Sequence, residues 1–231
     1  MDTIIDIKGL TKHYPMGNTR FTALRDISIS FAKGEFTGII GPSGSGKTTL
    51  LNIIGTLDVP SEGEVLLLGR SVGKLSPKEA ADLRKKSLGF IFQTYNLLPV
   101  YTVYENVEFP LLLLGLTEGM RRKMVMEALD WVGLASRADS RPSRLSGGEC
   151  QRVAIARAMV KKPILVLADE PTANLDAANS HHILQTMERL NRELGTSFLF
   201  ATHDEKVIGY VRRKVKLDDG RLAADEIVTP N

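Results

Sequence analysis

One short segment constrains this chain more than any other. An apolar run, Phe36–Ile40, leads into a glycine-rich stretch that matches the pattern G-x-x-x-x-G-K-[ST], and the predicted helical segment Leu50–Ile54 follows it. In the order strand, loop, helix, such a stretch turns its backbone N–H groups toward a phosphate chain. We therefore predict a phosphate-binding loop in which Lys47 contacts the terminal phosphates and Thr48 is a ligand of Mg²⁺. Its residues are Gly41, Pro42, Ser43, Gly44, Ser45, Gly46, Lys47, Thr48 and Thr49.

A second apolar run ends in two carboxylates. Residues Ile164–Ala168 have the composition of a buried strand in a parallel sheet, and Asp169 and Glu170 follow directly. Sheets of this class bind their ligands at the carboxyl ends of the strands. We expect Asp169 to hold the Mg²⁺ shell, and Glu170 to orient or deprotonate the water that attacks the phosphate.

Apolar patterns place strands toward both ends of the chain and helices in its middle. Capping boxes at Ser76 and Thr102 predict two helix starts, and Gly195 predicts the end of a later helix. The pattern therefore indicates an α/β core formed by residues 1–93 and 161–231, with a mostly helical lobe over about 94–160, in one domain. Further strands are predicted at Ile4–Leu10, Ile27–Phe31, Val65–Leu68 and Ser197–Ala201, and further helices at Met120–Val132 and Gly148–Val160.

Composition excludes several classes of protein. The 231 residues carry a net charge of +3, which is too small an excess to predict nucleic-acid binding. The most apolar stretch, Phe109–Leu116, contains Pro110 and Gly115 and is shorter than the roughly 18 residues that a membrane span needs. The single cysteine, Cys150, cannot form an intrachain disulfide. We see no secretory signal and expect the chain to stay in the cytosol.

The most specific motif is Leu145–Glu149, which opens a helical segment. Two glycines and a serine at a helix N-terminus form a second anion site, and two such sites cannot easily serve one phosphate chain unless they face each other. With this motif the chain resembles, over nearly its whole length, the ATP-binding subunit of ATP-binding cassette (ABC) transporters. The resemblance implies an α/β P-loop NTPase (RecA-like) core with an N-terminal antiparallel β subdomain and an inserted α-helical signature subdomain.

The resemblance also implies how ATP is bound. Members of the family form a head-to-tail dimer in which ATP and Mg²⁺ lie between the Lys47 loop of one copy and the helix terminus of a second copy. By resemblance that terminus contributes Ser146, Gly147, Gly148 and Glu149.

Four further site residues are assigned by the same resemblance. Tyr14 matches the aromatic residue that stacks on adenine, and Gln93 matches the glutamine that touches Mg²⁺ and water and hinges the helical lobe. Asp176, in Asn174–Asp176, matches the loop that crosses the dimer interface. His203 matches the histidine that contacts the γ-phosphate and holds Glu170 in place.

Several segments resemble the lipoprotein-releasing and macrolide-export branch of the family. They are Leu88–Gln93, Asn96–Pro99, Glu105–Leu111 and Arg141–Glu149. This resemblance implies a peripheral subunit on the cytoplasmic face of the bacterial inner membrane, whose partners are permeases with few spans and large periplasmic domains. It also implies that Gln93 and the stretch Tyr95–Pro110 receive the permease's cytoplasmic segment, while about half of the apolar residues there are core.

Three alternatives remain open at this point. A cell-division ABC ATPase, which signals through its membrane partner to wall hydrolases, would suit the stretch 102–107 equally well. A solute importer is disfavoured because the chain continues only a short way past His203. A soluble ABC ATPase of DNA repair or translation is disfavoured because the chain has neither a heptad insertion between Lys47 and Ser146 nor a second cassette.

Overall fold

The computed structural model describes residues 2–17 and 19–228, so the extreme ends of the predicted core lie outside the described residues. Its strands are β1 (Thr3–Met16), β2 (Thr19–Ala32), β3 (Phe36–Ile40), β4 (Glu62–Leu67), β5 (Arg70–Ser71), β6 (Leu88–Ile91), β7 (Leu165–Asp169), β8 (Ser197–Thr202), β9 (Arg213–Asp218) and β10 (Arg221–Ile227). Its α-helices are α1 (Lys47–Ile54), α2 (Pro77–Ser87), α3 (Val103–Leu112), α4 (Glu118–Trp131), α5 (Gly147–Met159), α6 (Ala177–Leu194) and α7 (Glu205–Ile208).

The N-terminal strands form an antiparallel sheet in the order β2-β1-β4-β5. β1 and β2 pair from Thr3↔Ala32 to Met16↔Thr19, well beyond the apolar alternation that predicted them. Several register shifts interrupt this pairing, which explains why the period-2 pattern fades along β1. The predicted strand end at Leu68 is wrong by one residue, because Leu68 has a φ of 50° and turns the chain after β4.

The second sheet carries the predicted site residues at one edge. Its order is β10-β9-β3-β8-β7-β6; the strands from β9 to β6 run parallel, and β10 pairs antiparallel with β9. β3, β8 and β7 are buried almost throughout. Since parallel strands end on the same side, the segments after β3, β8, β7 and β6 meet at one edge of the sheet. This strand order is beyond the reach of the sequence, because the buried strands are all similarly apolar.

Helices dominate the chain between β6 and β7. The capping box predicted at Thr102 is present: Thr102 Oγ1 accepts from the backbone N–H of Glu105, whose carboxylate accepts from the N–H of Thr102. The box predicted at Ser76 has the same reciprocal bonds. α3, α4 and α5 pack on one another through buried residues that include Val107, Leu129 and Val153. Along the described residues, no helix is both long enough and apolar enough to span a bilayer.

The C-terminal hairpin β9–β10 was not predicted. It is fixed to the core by Arg213, whose guanidinium donates to both carboxylate oxygens of Asp225 at 2.8 Å and to both of Glu35 at 3.0 Å. Glu35 directly precedes β3 and is far from Arg213 in the sequence. No local sequence pattern therefore indicates this contact.

Candidate active site

The loop between β3 and α1 has the conformation of a phosphate cradle. Gly46, at a φ of 99°, lies so close to the backbone that a Cβ there would be 2.6 Å from the carbonyl oxygen of Ala23, and only glycine fits. Lys47 is 7% exposed, and its Nζ donates to the carbonyl oxygens of Gly41 at 2.8 Å and Pro42 at 2.9 Å. These bonds hold the ammonium group within the loop.

The hydroxyl of Thr48 faces the carboxylate at the end of β7. Thr48 Oγ1 donates to Asp169, with its two oxygens at 3.2 and 3.1 Å. Burial raises the pKa of Asp169 above its ordinary value, and the Thr48 hydrogen bond and the charge of Lys47 oppose that rise. One carboxylate and one hydroxyl are the kind of oxygen ligands that Mg²⁺ takes when phosphates and waters complete its shell. Among the described residues there is no cluster of three or more acidic, His or Cys side chains that would hold a metal without such help.

Glu170 is held from two sides at the start of the next loop. Its Oε1 lies 2.6 Å from Nδ1 of His203, and its Oε2 accepts from Thr202 Oγ1 at 3.0 Å. Its backbone has a φ of 46°, which a non-glycine residue adopts only where the surroundings impose it. His203 is largely exposed, so its ring can reach a group outside the sheet. The Glu170 carboxylate and the His203 ring therefore lie side by side in the cavity that the Lys47 loop also lines.

Most of the predicted residues of the loop and the sheet edge line one cavity of about 410 Å³. Gly41, Pro42 and Ser45 are not among its lining residues, and Ser45 is buried beneath the loop. Phe21 and Ala23 of β2 line the same cavity, and sequence reasoning did not identify them. The predicted residues that it brings together are Ser43, Gly44, Gly46, Lys47, Thr48, Thr49, Gln93, Asp169, Glu170 and His203.

Tyr14 lies beside this cavity and does not line it. Its Cα pairs with that of Phe21 across the β1–β2 hairpin. Its hydroxyl donates to Asp58 Oδ2 at 2.6 Å. Burial, followed by the Asp58 hydrogen bond, raises the pKa of Tyr14. The pairing that puts Phe21 opposite Tyr14 lies beyond the strands predicted from the sequence, so no sequence signal identified Phe21.

The serine-glycine-glycine segment at the start of α5 lies apart from the cavity within the same chain. Ser146 Oγ accepts from the N–H of Glu149, and the Glu149 carboxylate accepts from the N–H of Ser146 at 2.8 Å. The Glu149 carboxylate oxygen Oε1 also lies 3.4 Å from Nε of Arg137. The hydrogen bond from the Ser146 N–H is the main cause of the lowered pKa of Glu149. Gly147 and the Ser146 side chain are exposed, which leaves the N-terminus of α5 free to meet a ligand from outside this chain.

The loop after Glu170 connects these two parts. Asn174 Nδ2 donates to the carbonyl oxygen of Gln93 at 3.0 Å. Asp176 caps α6 by accepting from the N–H of Asn179 at 2.8 Å, and Asn179 packs against Gly148. The predicted residues Gln93, Asp176 and Gly148 therefore belong to one contiguous structural unit.

Comparison with known proteins identifies the family to which this architecture belongs. A family model described as ABC transporter matches residues 24–173. The lipoprotein-releasing system ATP-binding protein LolD of Geobacter metallireducens is 45% identical over 225 residues, which cover 97% of this chain and 100% of that protein.

Solved structures agree with this match. The ATP-binding cassette MJ0796, in a dimeric post-hydrolysis state bound to ADP and Pi, has a TM-score of 0.90 at 40% identity and covers 97% of this chain and 99% of its own. The protein cbiO1 of Clostridium perfringens, part of the complex cbiONQ, has a TM-score of 0.88 at 30% identity, with 98% and 89% covered. Fold, cavity and sequence together show that this chain belongs to the ABC transporter family, as an ATP-binding and ATP-hydrolysing domain similar to LolD.

Proposed function

We propose that two copies of this chain close head to tail around two ATP molecules and drive a bacterial inner-membrane complex that releases lipoproteins or exports a substrate. The observation that carries the proposal is that the predicted site residues of one chain lie in two separate places. Lys47, Thr48, Asp169 and Glu170 meet in one cavity, whereas the exposed N-terminus of α5 lies outside it. A second copy would bring its own α5 terminus to the phosphates, which completes both sites by symmetry.

Each residue of the cavity then has one task. The ammonium group of Lys47 and the N-terminus of α1 bind the phosphates, and Thr48 and Asp169 would hold Mg²⁺, with Gln93 at the edge of the same cavity. When bound, Mg²⁺ neutralises charge that develops on the phosphate oxygens. Glu170 orients and deprotonates the attacking water, and His203 holds the Glu170 carboxylate at 2.6 Å and reaches the γ-phosphate.

ATP drives motion because its contacts differ between the open and closed dimers. Contacts between the γ-phosphate of one site and Ser146 of the second copy exist only in the closed dimer, so ATP shifts the equilibrium by its differential affinity. Hydrolysis removes the bridging phosphate and reopens the dimer. In this proposal residues 94–160 move as the helical unit. Asn174 donates to Gln93 of the cavity, and Asn179, a short way further along the chain, packs against Gly148 of the helical unit.

A groove beside Gln93 is suited to receive the permease. It has a volume of about 330 Å³, and its lining includes Phe90, Phe92, Leu98 and Phe109. Phe109 is 40% exposed, and Leu112 at the end of α3 and Leu113 directly after it are also exposed apolar side chains. An apolar, partly exposed surface of this kind fits a short cytoplasmic segment of a membrane protein. The chain would thereby be peripheral, on the cytoplasmic face of the membrane.

The similarity to LolD supports lipoprotein release as the work performed. The test is to purify tagged Glu170→Gln chain from detergent-solubilised membranes of its host, with and without ATP, and to identify co-purifying chains by mass spectrometry. A permease with few spans and a large periplasmic domain is the expected partner, and its sequence separates lipoprotein release and efflux from division signalling. Tagged Lys47→Ala chain is the matched control and should show no ATP-dependent change in recovery. An ATP-bound dimer without any membrane protein would indicate the soluble class instead.

A further inference from the structure

We propose that Asp58 is a positioning residue that fixes the ring of Tyr14 relative to the phosphate loop, and that Lys12 supports the ring from one face. Together the three side chains position the part of the nucleotide site that would bind the base. They have no role in the part that would bind the phosphates. This inference rests on the proposed function, because it requires ATP to bind at the cavity and takes Tyr14, by the family resemblance, to be the residue that stacks on adenine.

The carboxylate of Asp58 is the centre of the arrangement. Its Oδ2 accepts from the Tyr14 hydroxyl at 2.6 Å, and its Oδ1 accepts from Lys12 Nζ at 2.5 Å and from the N–H of Val59 at 2.7 Å. Three donors on one carboxylate leave it little freedom to rotate. Because the phenol has a single hydroxyl, the Oδ2 bond determines where the edge of the Tyr14 ring lies.

Lys12 restricts the ring from a second direction. It is 7% exposed, and its Nζ lies 4.9 Å from the centroid of the Tyr14 ring while donating to the carbonyl oxygen of Val59 at 2.8 Å. An ammonium group over an aromatic face attracts the ring and occupies that face. A base would therefore stack on the opposite face. Burying this charge costs desolvation that apolar side chains would avoid, which favours a role beyond stability.

Asp58 is in turn attached to the helix of the phosphate loop. After α1 the chain folds back, so that the N–H groups of Leu57 and Asp58 donate to the carbonyl oxygen of Asn52 at 2.9 and 3.3 Å. Asn52 lies one helical turn beyond Thr49, which lines the cavity. The ring on the antiparallel sheet and the cradle on α1 are thus joined through one carboxylate.

This arrangement predicts different effects on the binding of the base and on the binding of the phosphates. ADP uses both parts of the site, whereas inorganic pyrophosphate uses the cradle alone. Loss of the Asp58 anchor should weaken ADP and leave pyrophosphate unaffected. A general loss of structure would weaken both ligands.

The experiment is isothermal titration calorimetry of the full chain with ADP and, separately, with inorganic pyrophosphate. We expect the wild-type chain to bind ADP more tightly, and Asp58→Ala and Lys12→Met each to weaken ADP about tenfold, since stacking on an aromatic ring is a large part of base affinity. Pyrophosphate affinity should stay within about twofold. Asp82→Ala is the matched control, because Asp82 pairs with Lys85 at 3.1 Å on the surface of α2, and it should change neither affinity.

Tyr14→Phe keeps the ring and removes only the hydroxyl, so it tests the inference even if Asp58→Ala does not fold. We expect it to weaken ADP about threefold, with pyrophosphate unchanged. Equal losses for both ligands, or no loss of ADP affinity, would overturn the role of Asp58, as would a wild-type chain that binds ADP no better than pyrophosphate. A wild-type chain that binds neither ligand would contradict the nucleotide site itself, a separate failure.

Discussion

Nδ1 of His203 lies 2.6 Å from Oε1 of Glu170, at the ends of the neighbouring strands β8 and β7. Thr202 holds the other carboxylate oxygen, so both oxygens of Glu170 have partners. A carboxylate fixed in this way can accept a proton from one water at one place. Its position beside the Lys47 loop makes it the candidate general base.

Replacing Glu170 by glutamine tests that role. Gln has the same shape and cannot accept the proton, so ATP should still bind while turnover falls by at least about a hundredfold, the usual contribution of a general base. ATP-bound dimer should accumulate and is measured by light scattering with added ATP. Glu127→Gln, on the surface pair with Lys162, is the control. Near-normal hydrolysis by Glu170→Gln would end the assignment.

Replacing Lys47 by alanine should weaken nucleotide binding. Its ammonium group is held in the loop by Gly41 and Pro42, and a charge-assisted bond to phosphate contributes about 1.5–3 kcal/mol, so affinity should fall about 10- to 100-fold. Calorimetric titration with ADP measures the change, and the exposed Lys78→Ala serves as control. Unchanged affinity in Lys47→Ala would contradict the cradle.

Ser146 and Ser76 offer a matched pair of helix caps. The N–H of Glu149 lies 3.2 Å from Ser146 Oγ, and the N–H of Glu79 lies 3.3 Å from Ser76 Oγ. Alanine at either position should lower the free energy of unfolding by about 1 kcal/mol, since both lose the same cap. Only Ser146→Ala should also lose ATPase activity, by at least about tenfold, because only that helix terminus would bind the phosphate of a second copy. Equal activity of the two variants would argue against the composite site.

Local patterns in the sequence predicted what local chemistry determines. The capping box at Ser76 and the helix end at Gly195, where φ is 66°, depend on residues within one turn and are confirmed. Contacts between distant residues were not predicted. Asp58 meets Tyr14 across 44 positions, and Arg213 meets Glu35 across 178, so neither pair leaves a periodic signal.

The candidate site was likewise predictable from the sequence only where its residues are close together along the chain. The glycine-rich loop was predictable from the sequence because its strand, turn and helix are consecutive along the chain. Phe21 lines the same cavity from β2, in a part of the β1–β2 pairing that the sequence did not predict. The left-handed backbone of Glu170 follows from its place after β7, which composition does not encode.

Gly148 has a packing requirement that an alanine substitution would expose. A Cβ at this position would lie 2.4 Å from Oδ1 of Asn179, whose amide nitrogen is tied to Asp176 at 2.8 Å. Gly148→Ala should therefore lower the free energy of unfolding by about 1–3 kcal/mol and reduce ATP-dependent dimerisation. Gly119→Ala in α4, where nothing lies within 4 Å, should leave stability unchanged or raise it by up to about 1 kcal/mol. Chemical denaturation compares the two, and equal stability would refute the packing role of Gly148.

The ion pair between Arg213 and Asp225 should make part of the stability depend on pH. The Arg213 hydrogen bonds are the main cause of the lowered pKa of Asp225. The folded state therefore binds the proton less readily than the unfolded state. The stabilisation is present above the unfolded pKa of about 3.9 and is lost as the pH falls through the lower folded value.

Asp225→Asn should lower the free energy of unfolding by about 1 kcal/mol at pH 7, since the pair is bidentate but partly exposed and Arg213 keeps its bonds to Glu35. Toward about pH 3 the difference from wild type should shrink, because Asp225 is then increasingly protonated in both states. Urea unfolding at the two pH values measures it. Asp219→Asn is the control, because its carboxylate is 85% exposed and 3.7 Å from Arg25, and it should show no effect. If the loss in Asp225→Asn were the same at both pH values, the hairpin would be held by packing, and the charge of Asp225 would contribute nothing measurable.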